Sequence, residues 1–121
     1  MKQIQYLVGA VVLVVLDSIY LNIIKKYFSN QIRSIQGTDI QINYMATGLT
    51  YVFLIFGLSY FILRKRSSVS DAALLGLTIY AVYEFTNLAL FKKWSVFTVL
   101  IDTTWGAILF GLTTFIVYKL T

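Results

Sequence analysis

The 121-residue sequence contains no cysteine, no proline and no histidine. Without cysteine there is no disulfide and no thiolate ligand, which says nothing about redox compartment. Without histidine as well, the usual zinc ligand sets are excluded. So are Ser-His and Cys-His nucleophile pairs and haem ligation on known patterns. The chemistry left to the chain is that of carboxylates, amides, hydroxyls, lysine and arginine. Charge is also scarce. Charged residues make up 12% of the chain, about half of the roughly 25% usual in soluble domains.

What is abundant is apolar surface. Hydrophobic residues are 59% of the chain and the mean hydropathy is +0.79. Residues 40–63 and 103–118 carry no charge at all. A soluble helical bundle needs a polar face on every helix, and these runs are too long for that. A membrane span needs roughly 20 mostly apolar residues, and in lipid such a span must satisfy its own backbone groups as a helix. The sequence therefore predicts an all-α, integral membrane four-helix bundle. It forms one domain, with spans at about 4–24, 42–63, 72–91 and 96–118. The first run lacks an A-x-A-like cleavage site and flows into Asp17, Tyr20 and Asn22, so it reads as a retained span rather than a signal peptide.

The net charge is +5. The basic residues stand at the ends of the hydrophobic runs, at Lys25-Lys26, Arg64-Lys65-Arg66, Lys92-Lys93 and Lys119. That placement fits headgroup contact and snorkelling at a lipid bilayer, not nucleic acid. With four spans, Lys2, Arg64, Lys65, Arg66 and Lys119 share one side, and Lys25, Lys26, Arg33, Lys92 and Lys93 the other. The positive-inside rule is balanced by that split. The three-charge cluster at 64–66, with the amino terminus, tilts the reading toward cytoplasmic termini.

The connections have their own signals. Thr38-Asp39-Ile40-Gln41 fits a T-x-x-Q capping box that opens a helix, and Gly37 stands where the preceding helix would end. Ser67–Asp71 reads as a turn with Ser70 as N-cap and Asp71 in the first turn. Over 27–37, Phe28, Ile32 and Ile35 lie on one helical face, which predicts a short amphipathic helix in the interface. Tyr27 and Trp94, beside the lysine pairs, read as interfacial aromatics. The last connection is short, so the third and fourth spans form a tight hairpin.

An internal repeat is also visible. Asp17 precedes Lys25-Lys26-Tyr27 as Glu84 precedes Lys92-Lys93-Trp94, and FGLSYFILRK (56–65) matches FGLTTFIVYK (110–119) at six of ten positions. This pattern predicts a duplicated two-helix hairpin, with parallel repeats related by an axis along the membrane normal.

Three acids fall inside the spans. Asp17 lies eight residues before Lys25, Glu84 eight before Lys92, and Asp102 nine after Lys93. At about 1.5 Å per residue, each sits roughly 12 Å below the same rim. Gly76, Tyr80, Glu84 and Asn87 share a helical face, as do Asp17 and Tyr20. Asp102 adjoins a face of small residues, Thr103, Ala107, Gly111 and Thr114. Tyr44, Thr47, Gly48 and Tyr51 of the second span reach nearby depths. Small and polar stripes turn toward other helices, so the acids are expected to converge. Trp105, one turn from Asp102, either packs over them or donates its indole N–H to them.

Each acid at mid-membrane costs on the order of 2.5–3.5 kcal/mol. Three explanations compete. The carboxyls are partly protonated and hydrogen-bonded to Tyr20, Tyr80, Thr86 and Asn87, a polar network that serves only to fix helix register; or they bind a cation or an amine-bearing ligand; or the rim lysines bend inward. The candidate ligand-binding residues are Asp17, Glu84, Asp102, Asn87, Tyr20, Tyr80 and Trp105. No catalytic residue stands out, and no cofactor is expected beyond a bound cation. The first functional reading is a membrane protein that binds or conducts a cation, proton or small amine. The second is an assembly component of a membrane complex or viral envelope, as a homo-oligomer or with a larger membrane-protein partner. A lipid-acting enzyme is the third and weakest, since no phosphate-binding glycine loop is present.

Several segments together resemble a known family. Asp17-Ser18-Ile19-Tyr20-Leu21, Tyr83-Glu84-Phe85-Thr86-Asn87, the following Trp94, and Asp102-Thr103-Thr104-Trp105-Gly106 are similar to the motifs of domain of unknown function 2177. This family of small four-span membrane proteins is found in bacteria and in some large DNA viruses. The resemblance covers nearly the whole chain. It departs at Glu84, where the family usually has Asp, and at Tyr20, where it often has Trp. It supports the fold and the choice of residues, and implies no activity.

Overall fold

The structure, a computed structural model, describes residues 2–38 and 42–121. Four helices follow one another: α1 (Lys2–Gln36), α2 (Tyr44–Leu58), α3 (Val69–Leu90) and α4 (Val96–Leu120). A π-helical turn, Ser59–Leu63, prolongs α2. With that turn included, all four helices are long and apolar enough to cross a membrane.

The helix ends are set by local chemistry. Gly37, at φ +79°, closes α1 in the left-handed conformation that costs glycine little. The capping box expected at 38–41 falls largely on residues outside the described ones. α2 instead starts at Tyr44, where Asn43 Oδ1 accepts from the Ala46 N–H at 3.0 Å. Ser68, not Ser70, caps α3: its hydroxyl oxygen accepts from the Asp71 N–H at 3.0 Å. The serine that wins is the one three residues before an N–H left free in the first turn. Asp71 keeps its place in that turn, where the helix dipole favours an acid.

The amphipathic segment over 27–37 is not a separate helix. α1 runs through it without a break for 35 residues, roughly 50 Å of helix against a hydrocarbon core of roughly 30 Å. The extension is held by the α3–α4 connection. Gln31 Oε1 accepts from the Ser95 N–H at 2.9 Å and the Thr98 hydroxyl at 3.0 Å. Phe28 packs edge-on to Trp94. Its apolar face thus meets protein.

α3 and α4 pack most closely. At their crossing, a Cβ on Gly76 would collide with the Gly106 carbonyl, and one on Gly106 would stand 2.5 Å from the Tyr80 ring. Only glycine permits that approach. α4 is the central helix and also carries α1. The apolar core, formed by Leu13, Leu54, Leu58, Ile62, Leu63, Ala72, Leu109, Phe110 and Val117, fills the end of the bundle near the termini. There Gly9 of α1 receives Leu63 and Val117, which are equivalent positions in the two repeated segments. The amide of Gln5 donates to the Leu63 carbonyl at 3.1 Å, supplying a partner where the π-helical turn ends.

α2 belongs to this core only through its second half. Residues 44–50 are exposed throughout, so the first half of α2 stands away from the bundle. The end of the bundle nearer Lys25 and Lys92 is therefore open between α1, α2 and α3.

Gly106→Ala is expected to lower thermal stability in detergent by about 1–3 kcal/mol, as overpacking does. Gly48→Ala and Gly57→Ala, where an added Cβ meets nothing within 4 Å, are expected to leave it unchanged or slightly raised. Thermal unfolding of the three variants checks this.

Candidate functional site: a layer of buried carboxyls

The three acids are buried: Glu84 is 0% exposed, and Asp17 and Asp102 are each 6% exposed. Each receives at least one donor from a tyrosine or tryptophan. Asp17 holds two. The Tyr51 hydroxyl reaches its Oδ2 at 2.5 Å, and the Trp105 indole N–H reaches its Oδ1 at 3.0 Å. Asp102 Oδ1 accepts from the Tyr20 hydroxyl at 2.9 Å. Glu84 Oε1 accepts from the Trp94 indole N–H at 2.8 Å. Tyr20 and Trp105 stack with ring centroids 4.5 Å apart and an interplanar angle of 6°. The stack therefore ties Asp17 and Asp102 into one unit. Each of its two rings serves the acid on the other ring's helix.

The helix register explains this meeting. Tyr20 follows Asp17 by three residues and Trp105 follows Asp102 by three, so each acid has an aromatic neighbour on its own helical face. α1 packs on α4 with the two pairs side by side, and the donors cross over. Tyr80 of α3 lies within electrostatic range of both Asp17 and Asp102. Asp102 is the carboxyl neighbour of Glu84.

A cavity of about 590 Å³ opens beside this layer. Asp17 and Asp102 line it, with Tyr20, Tyr51, Tyr80 and Tyr83. Thr47 and Thr50 of the splayed half of α2 supply hydroxyls on one wall, and Phe28 and Ile32 close it toward the α1 extension. Glu84 does not line it. On the other side of the Tyr20–Trp105 stack, Leu100, Ile101, Thr104 and Ile108 border an open apolar groove.

The rim lysines do not turn inward. Lys25, Lys26 and Lys92 are exposed, and Lys93 Nζ donates to the Ser34 carbonyl at 3.3 Å. Among the described residues, no group of three acidic, histidine or cysteine side chains could hold a metal ion. Of the donors expected for the acids, Tyr20 and Trp105 serve as such. Trp105 packs and donates at once. Asn87 lies within range of the Tyr83 side chain on its own helix, and Thr86 donates to the Val82 carbonyl behind it.

Two donors escaped the sequence reading. Tyr51 was legible only as an aromatic at a nearby depth, since its bond to Asp17 depends on how α2 leans. Trp94 reads as a rim residue beside two lysines, yet it is 6% exposed. The turn in which the Trp94 N–H reaches the Phe91 carbonyl folds the indole back under the end of α3, onto Glu84.

Comparison with known proteins now bears on these positions. Residues 2–119 match the family described as "Predicted membrane protein (DUF2177)". The chain belongs to this family. No curated protein and no solved structure matches it. The segments whose resemblance to this family was noted in the sequence contain Asp17, Tyr20, Glu84, Trp94, Asp102 and Trp105, all members of the layer. The glycine of D-T-T-W-G is Gly106, which makes the α3–α4 crossing possible.

Tyr51→Phe and Trp105→Phe each strip a donor from Asp17 and are each expected to destabilise the protein by about 1–3 kcal/mol. Combined with Asp17→Asn, each loss should shrink, because the acceptor it served has changed. Thermal unfolding around that double-mutant cycle measures the coupling. Strictly additive losses would show that these bonds are not made.

Proposed function

We propose that this multi-pass membrane protein binds a small organic cation, an ammonium or quaternary amine, inside the bundle. Asp17 and Asp102 are its counter-charges and the tyrosines its walls. One observation carries this reading: two carboxyls line an aromatic cavity of about 590 Å³. That volume lies within the roughly 300–1,000 Å³ usual for small-molecule sites. Neutral O–H and N–H donors soften the burial of a carboxylate but do not cancel its charge. A cation in the cavity does both, since its charge meets the carboxylates while its apolar groups meet ring faces. An organic cation suits the site better than a bare metal ion, which needs several oxygen ligands drawn close around it.

A second reading, an assembly component of a membrane complex, draws on the exposed first half of α2, where Tyr44 is 79% exposed. A second copy or a larger membrane protein could cover that surface. For orientation, the cytoplasmic placement of the termini rests on the charge cluster at 64–66.

Benzyltrimethylammonium is a suitable probe. It is expected to raise the thermal stability of the detergent-solubilised protein and to change tryptophan fluorescence, because Trp105 is bonded to Asp17. Sodium ion and benzyl alcohol are expected to do neither. Asp17→Asn should weaken binding at least tenfold. No response to benzyltrimethylammonium, or an equal response to benzyl alcohol, would sink the cation site. Single cysteines at Asn30, Ser68 and Thr121, all exposed, map the topology without background labelling. Positions 68 and 121 are expected to label from the cytoplasmic side and position 30 from the other.

A further inference from the structure

Glu84 is the member of the layer that the cavity does not reach. Its side chain is 0% exposed. Trp94 occupies Oε1, while Oε2 is buried with no hydrogen-bond partner among the described residues. Among the described residues, the groups that act on this carboxyl are Asp102 of α4 and the Trp94 indole, and no cation is among them. Tyr20 of α1 and Tyr83 of α3 are the other titratable side chains within range. Two carboxyls side by side and out of water do not both ionise. An O–H on Glu84 Oε2 would turn an unsatisfied acceptor into a donor, with Asp102 beside it to accept. Asp102 in turn lines the cavity, so it belongs both to the buried pair and to the cation site.

Resting on the cation site proposed above, we propose that Glu84 and Asp102 hold one proton between them, and that the protein exchanges this proton for the cation. With the cavity empty, Asp17 and the pair carry two negative charges and one proton. A cation placed against Asp102 removes the repulsion that kept the proton on the pair. The proton then leaves through Asp102 into the cavity. Afterwards three carboxylates and one cation again sum to two negative charges, so the exchange moves no net charge into the layer. The sign for pH follows. Protons compete with the cation, so affinity rises as pH rises while the pair is protonated, and levels off once the pair has lost its proton.

The test uses the full chain in detergent and benzyltrimethylammonium, which has no proton of its own to lose. Near pH 7 exposed carboxyls are already ionised, so a proton released on binding comes from the buried pair. The expected result is about one proton released per cation bound, read with a pH indicator in weak buffer. The dissociation constant should fall about tenfold per pH unit. Glu84→Gln should bind without proton release and with little pH dependence, whereas Glu84→Asp should keep both. The proposal is overturned if the wild-type protein binds the cation near pH 7 and releases no proton. It is equally overturned if Glu84→Gln binds with the release and slope of the wild type. Should Glu84→Gln fail to fold, the wild-type proton count and slope decide alone. If the wild-type protein does not bind the cation, the cation site itself has failed and the exchange falls with it.

Discussion

The crossing of α3 and α4 at Gly76 and Gly106 sets what stands above it. With no side chain between the backbones, the helices approach until the Gly76 and Gly106 main chains touch. Such closeness fixes register, because neither helix can slide without driving a Cβ into the other. Two turns along α3 from the crossing comes Glu84, and one turn back along α4 comes Asp102. Both displacements run toward the same rim, so the acids become neighbours. Tyr80, one turn from Gly76, lays its ring over Gly106 and reaches the edge of the cavity. Buried polar groups this costly are held only where the surrounding packing leaves no alternative geometry.

The bundle divides its work along its length. Near the termini it is dry, with all four helices meeting around Leu63, Phe110 and Val117. Toward the other rim α2 leans out, and the space left is lined by carboxyls and phenols. The closed half supplies a rigid base for the open half. The open half is held by hydrogen-bonded rings and by one polar clamp. The Tyr20–Trp105 stack joins α1 to α4, Tyr51 joins α2 to α1, and the α3–α4 connection clamps the end of α1 through Gln31 and Thr98. Tryptophan and tyrosine suit these joints, offering apolar area and one polar tip each.

Much of this was legible in the sequence, and for a definite reason. Depth in a membrane is a matter of counting residues from a charged rim, so the common level of Asp17, Glu84 and Asp102 needed no coordinates. Helical period placed Tyr20 beside Asp17 and Trp105 beside Asp102. What failed did so where a choice was not periodic. Ser68 and Ser70 are both good caps, and the free N–H of Asp71 chose between them. The segment over 27–37 has an amphipathic pattern that fits a lipid surface as well as a protein surface. Its fate turned on Gln31 finding the start of α4. Trp94 carries every sign of a rim aromatic, and only the turn at 91–94 sends it inward.

The sequence by itself determined that the chain is four apolar helices and that three acids lie at one depth. Both follow from composition and helical rise, which are local properties. The tertiary structure decided which acid meets which donor, that Glu84 keeps an oxygen with no partner among the described residues, and that Asp17 and Asp102 line the cavity beside the layer while Glu84 does not. Those outcomes depend on helix rotation and tilt. These are set by contacts as small as two glycines touching, and hydrophobic pattern does not encode them.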